Sequence, residues 1–154
     1  MNHKGINKVK YDQDIIQIKL LNVEKNSLFI SDIFKEISKH NVNIDMISQV
    51  MLEDEMRIDF TCFQKDQNQL NRALEFIKKK HPRMMIYQNR KVAKMVVEGD
   101  MKDEVGVAAD IFDILGKKQI PLHQVTTSDT TISYVIPEDM IQLAIEEIRK
   151  TFNI

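Results

Sequence analysis

The sequence predicts an α+β chain of two βαββαβ units, on three observations: two apolar helical stripes that each occur twice, and paired runs of alternating apolar residues between them. Ile30, Ile33, Phe34 and Ile37 fall at i, i+3, i+4, i+7, and Ala108, Ile111, Phe112 and Leu115 repeat the spacing 78 positions later. Leu70, Ala73, Leu74 and Ile77 likewise recur as Ile141, Ala144, Ile145 and Ile148, now offset by 71. The second copy has therefore lost residues between its helices.

Taken in chain order, residues 14–21 read as the first strand of copy one, ahead of the first stripe. Residues 43–51 and 55–63 read as a hairpin turning at Glu53-Asp54, with Ile58, Phe60 and Cys62 alternating onto one face. Asp66 with Gln69 has the spacing of a capping box for the second helix. Pro82 stops that helix, and residues 83–88 supply a closing strand. Copy two repeats the order in residues 92–97, the helix around Ile111, and a shorter hairpin of residues 122–127 and 131–136 turning at Ser128-Asp129-Thr130. Ile132, Tyr134 and Ile136 share a face there, and Pro137, Glu138 and Asp139 suit the first turn of its last helix. This is the ferredoxin-like split βαβ order, with antiparallel four-stranded sheets carrying helices on one face. Copy two ends directly after its last helix, without a fourth strand. Residues 5–11, containing Ile6, Val9 and Tyr11, form a strand that copy one does not need, so the N-terminal strand is expected to cross to the second unit and pair near Met95. The units are then 12–90, and 5–11 plus 91–154.

Composition narrows the function. With 43% hydrophobic and 29% charged residues the chain is a folded globular protein, and 22 Lys+Arg against 23 Asp+Glu leave a net charge of −1, too little for binding to nucleic acid or membrane by charge alone. RNA-recognition modules share this strand order but stack bases on aromatics beside a basic face, whereas aromatics are 6% of this chain and Trp is absent. The lone Cys62 forms no internal disulfide, and His40 and His123 lack a second ligand at helical or hairpin spacing, so no metal centre or cofactor is expected. The polar start Met1-Asn2-His3-Lys4 lacks a signal-peptide core and no apolar run approaches a membrane span, which makes cytoplasmic the expected location. No phosphate-cradling glycine loop and no nucleophile with a base nearby are present, so catalysis by this chain alone is not expected.

The stretches His40-Asn41-Val42-Asn43-Ile44-Asp45-Met46-Ile47-Ser48-Gln49, Gly106-Val107-Ala108-Ala109-Asp110-Ile111-Phe112 and Thr126-Thr127-Ser128-Asp129-Thr130-Thr131-Ile132-Ser133 resemble the tandem ACT domains at the C-terminus of aspartokinase. The resemblance covers nearly the whole chain. It implies an allosteric module that binds lysine, threonine or a related amino acid at a subunit interface, hence a homodimer, and that regulates an aspartokinase catalytic domain or subunit in the synthesis of aspartate-family amino acids. Where the family has Pro-Gly before the first helix, copy one has Ser27-Leu28, and Lys25 replaces an aspartate. Phe29 and Asp45 match the variant found in lysine-sensing members. In copy two Val105 replaces a proline and Pro121 an asparagine.

An amino acid presents a carboxylate and an ammonium. Backbone N–H groups at a helix N-terminus suit the first, and a side-chain carboxylate suits the second. The candidate effector-binding residues are therefore Ser27, Leu28, Phe29 and Ile30 at the first turn, with Asp45, Ser48 and Gln49 on the following strand. Gly106, Val107, Ser128 and Asp129 are their counterparts in copy two. Each has a plain structural alternative: Asp45 as a solvated strand-end carboxylate, Gly106 as a loop glycine, Ser128 and Asp129 as hairpin-turn residues. A dimerisation module with a degenerate pocket is the corresponding alternative function. A free-standing regulator, a small subunit and a fragment of a longer kinase are equally compatible with the sequence.

Overall fold

Alternation of apolar residues builds strands here because one face of each can be buried against helices. The computed structural model describes residues 5–154; Met1–Lys4, read above as lacking a signal-peptide core, lie outside the described residues. The strands are β1 (Ile6–Asp12), β2 (Ile15–Val23), β3 (Asp45–Met51), β4 (Met56–Phe63), β5 (Met85–Asn89), β6 (Val92–Gly99), β7 (Gln124–Thr127) and β8 (Thr131–Pro137). The helices are α1 (Ser27–Lys39), α2 (Gln67–Lys80), α3 (Val107–Lys117) and α4 (Ile141–Phe152).

The first unit, Asp14–Arg90, is an antiparallel sheet of order β3-β4-β2-β5 carrying α1 and α2. Ile16, Ile18 and Leu20 of β2 and Ile58, Phe60 and Cys62 of β4 meet Ile33 and Ile37 of α1 and the whole stripe Leu70, Ala73, Leu74, Ile77 of α2 in one core. Each large side chain in that core contributes roughly 1.5–3 kcal/mol by leaving water. The second unit joins Lys91–Ile154 to the N-terminal segment as far as Gln13, with order β1-β6-β8-β7 under α3 and α4. Its core sets Ile132, Tyr134 and Ile136 of β8 against Ile111, Leu115, Ile141, Ala144, Ile145 and Ile148.

β1 takes beside β6 the place that β5 takes beside β2, pairing Val9 with Val97 and Tyr11 with Met95. α4 ends at Phe152, where the left-handed Asn153 closes it with its N–H on the Arg149 carbonyl. The junction between β1 and β6 is tight. A Cβ on Gly99 would stand 1.9 Å from the Gly5 carbonyl oxygen, so only glycine fits there.

Two helix starts differ from the sequence reading. Chain enters α2 through a 3₁₀ turn, Gln64–Asp66, and Asp66 makes no side-chain cap, so the capping box with Gln69 does not form. Pro137 closes β8 and precedes a second 3₁₀ turn, Glu138–Met140, so α4 begins only at Ile141. In both places the tighter turn links strand to helix; it stands where a capping box was expected at α2 and where the first helical turn was expected at α4. No helix among the described residues is long and apolar enough to cross a membrane.

Candidate functional site

The β2–α1 connection of the first unit is organised by Asn26. Its backbone is extended, at φ −147° and ψ 118°, and its Oδ1 accepts hydrogen bonds from the N–H groups of Leu28 (2.9 Å) and Phe29 (3.4 Å). Its carbonyl accepts from the Ile30 N–H at 3.1 Å. Three of the amides that the sequence offers to a ligand carboxylate are thus already engaged by one residue, which caps the helix in the usual way. Ser27 and Leu28 are exposed, whereas Phe29 and Ile30 are half-buried and pack on the core.

Asp45 stands elsewhere. It is in register with Thr61 on β4, and Thr61 is in register with Gln17 near the start of β2. The first turn of α1 instead follows Val23, at the far end of β2, whose partner is Met56. Six residues of strand separate the two rows, about 20 Å at ~3.3 Å per residue. One chain therefore does not bring Asp45 to Ser27–Ile30. The cause is topological: the chain runs up β2, back along α1 and up β3, so β3 begins at the end where α1 finishes. Asp45 accepts the Thr61 hydroxyl on its carbonyl at 3.2 Å. Ser48 lies beside Asp59, whose carboxyl is pushed up by burial, against the opposing pull of Lys19 and Arg57. Gln49 is exposed and in register with Ile58.

What surrounds the first turn of α1 is a different set of charges. Phe29 packs on the His81 ring, centroids 4.2 Å apart at 52°. Asp32, one turn along α1, receives Lys80 at 2.9 Å and His81 Nε2 at 3.3 Å, and these two contacts hold its carboxyl below the ordinary carboxylate range. Two adjoining hollows, of about 430 and 330 Å³, share Glu24, Phe29 and Lys80; the smaller also reaches Asp54 and Arg83. Apart from Phe29, sequence reasoning does not select these residues. The basic run Lys78-Lys79-Lys80-His81 at the end of α2 was the available signal, since the split βαβ order returns that end to the start of α1.

In the second unit the candidates lie on two segments, the start of α3 and the β7–β8 turn. Gly106 takes the left-handed φ of +88° before α3, a conformation that strains any residue with a Cβ. Val107 is buried in the core, and α3 has no side-chain cap. The loop before Gly106 is tied to the β7–β8 turn by Met101 N–H to the Asp129 carbonyl (3.0 Å), and Gly99 N–H reaches the Thr130 carbonyl (3.0 Å). Ser128 Oγ is used within the turn, accepting from the N–H groups of Thr130 (3.3 Å) and Thr131 (3.1 Å).

Comparison with known proteins accounts for this arrangement. Residues 95–152 match the family model of the ACT domain. The chain is 29% identical over 147 residues to aspartokinase 2 of Bacillus subtilis, covering 95% of this chain and 36% of the relative. To the aspartokinase of Pseudomonas aeruginosa it is 28% identical over 158 residues, covering all of this chain and 38% of that one. It thus spans well under half the length of these relatives. Among solved structures, a chain of the aspartokinase alpha and beta subunits superposes with a TM-score of 0.87 at 25% identity, covering 97% of this chain and 99% of the other. The regulatory subunit of aspartate kinase from Thermus thermophilus shares the fold at a TM-score of 0.89 and 20% identity, with 97% and 99% covered. Two βαββαβ units, one completed by a crossing strand, thus coincide in fold with these solved chains, and residues 95–152 match the ACT domain.

Proposed function

We propose that this module senses an amino acid, lysine first and threonine second, and passes its occupancy to an aspartokinase catalytic domain or subunit in the cytoplasm. The observation that carries the reading is the similarity along nearly the whole chain to longer enzymes, of which it covers 36–38%, together with a separate solved chain of matching extent. Phe29 and Asp45, matching the lysine-sensing pattern, support the order of effectors. At residue level the first turn of α1 forms one wall. Asp45, Ser48 and Gln49 join it only from a second copy, which makes the working unit a homodimer; Gly106, Val107, Ser128 and Asp129 form the corresponding turn of the second unit.

Calorimetric titration of the twenty amino acids against the chain tests the reading, and binding of lysine or threonine at or below millimolar concentration is expected. Sedimentation should give a dimer at high micromolar concentration, and a stable monomer there removes Asp45 from the site. A dimerisation module with a degenerate pocket is the second reading. It is favoured by Asn26, which occupies the amides a ligand carboxylate would need, and it becomes the better one when no amino acid binds.

A further inference from the structure

The chain enters the first unit at Gln13-Asp14 and leaves it at Arg90-Lys91. Entry and exit run through neighbouring strands, β2 and β5, whose ladder stops at the pair Gln17 and Asn89. Ile15 and Arg90 lie beyond that pair, and one side chain takes over where the ladder stops.

That side chain is Gln64, the first residue of the 3₁₀ turn before α2. Its backbone N–H donates to the Asp14 carbonyl at 2.9 Å, and its Nε2 donates to the carbonyls of Ile15 (3.1 Å) and Arg90 (3.3 Å). Its Oε1 accepts from Arg90 Nη2 at 3.0 Å. A primary amide has two N–H donors, and here one goes to the entry and one to the exit. Arg90 is anchored a second time, Nη1 donating at 2.9 Å to Oε1 of Gln67, the first residue of α2. Gln67 in turn donates to Gln88 Oε1 of β5 at 3.0 Å. All of these partners belong to the first unit. The next residue along, Lys91, is held within the second unit, where its carbonyl accepts the Glu138 N–H at 3.1 Å. Anchorage therefore reaches the last residue of one unit and the first residue of the next.

We propose that Gln64 is a clasp joining the entry and the exit of the first unit, so that both connections to the second unit loosen or hold together. Its residues lie outside the candidate binding turns, and the clasp does not depend on which ligand those turns take.

The test perturbs one connection of the full chain and reads the other. Arg90→Ala removes the guanidinium at the exit, and hydrogen exchange of the Gln64 amide, which rests on the Asp14 carbonyl, reports the entry. That exchange should quicken roughly threefold. Gln64→Met keeps the length of the stem and removes the amide from both connections. Trypsin should then cut after the exposed Arg90 roughly tenfold faster than in the wild type, because cleavage follows the population of the opened segment. Urea unfolding with the wild-type slope should show that both variants are folded. An unchanged Gln64 amide in Arg90→Ala overturns the clasp, since exit and entry would then move independently, and so does unchanged cleavage in Gln64→Met. Should Gln64→Met fail to fold, Arg90→Ala decides alone, because it alters an exposed side chain.

Discussion

Phe112 of α3 stands edge-on to Tyr134 of β8, ring centroids 5.9 Å apart and planes at 82°, and Phe34 of α1 meets Phe60 of β4 in the same way at 5.8 Å and 67°. The helix-to-sheet ring contact is thus repeated in both units, as the recurrence of the first stripe implies. The difference is one hydroxyl. Tyr134 is fully buried and its Oη has no hydrogen-bond partner, which costs stability because nothing replaces the lost water. Tyr134→Phe should stabilise the chain by about 1 kcal/mol, read from urea unfolding at neutral pH. Burial also raises the phenol above its ordinary value of 10.0. The folded chain then holds a proton that the unfolded chain releases above that pH, so stability is intact below it and falls as pH rises. The Phe variant should lose less stability on the alkaline side; equal losses in both proteins would mean that the hydroxyl is solvated.

Cys62 carries the same sign of pH dependence. Burial, with a smaller push from the Asp66 charge, raises its thiol from 9.0 to about 12. The stability it contributes is complete below pH 9 and is lost as pH rises toward 12. Near neutral pH the thiolate is scarce and the side chain is 3% exposed, so a maleimide should label the native chain far more slowly than the urea-unfolded one. Fast native labelling would show that β4 opens locally.

Gly99→Ala should detach β1 selectively. The added Cβ meets backbone atoms of Gly5 and Ile6, not the movable end of a side chain. Hydrogen exchange should show lost protection along Ile6–Asp12 and the facing β6 amides, while β2 and β4 of the first unit remain protected. A clash that displaces backbone belongs among the costlier substitutions, on the order of 2 kcal/mol or more. Unchanged protection of β1 would require the β1–β6 edge to be looser than its hydrogen bonds indicate.

How far the sequence reaches is visible in particular residues. The α2 and α4 stripes are buried at every position named from periodicity, because a helix packed on a sheet has only one way to hide four apolar residues at that spacing. The crossing of β1 followed from counting strands against helices. Helix starts were less legible. Asn26 caps α1 although Ser27 is as good a capping residue, and the choice depends on where β2 releases the chain. Asp45 was paired with Ser27–Ile30 on nearness in sequence and on family pattern. Strand direction, which a βαβ crossover fixes, puts them at opposite ends. Glu24, Asp54 and Arg83, which border the smaller hollow, are far apart in sequence, a placement that periodicity does not reveal.

Asn26→Ala separates two ways of holding a ligand carboxylate. Losing the cap should cost the first unit about 1 kcal/mol, seen as a lower urea midpoint with an unchanged slope. It also releases the Leu28 and Phe29 amides from their present acceptor. If a ligand carboxylate is held elsewhere, those amides are not part of the site, and lysine affinity should stay within about threefold of wild type. Asn26→Asp keeps an acceptor at the cap and adds a negative charge beside the helix N-terminus, so it should restore stability with an equally small effect on binding. A tenfold or greater gain in affinity for the Ala variant, with a matching loss for Asp, would place the carboxylate on the helix amides that Asn26 now occupies.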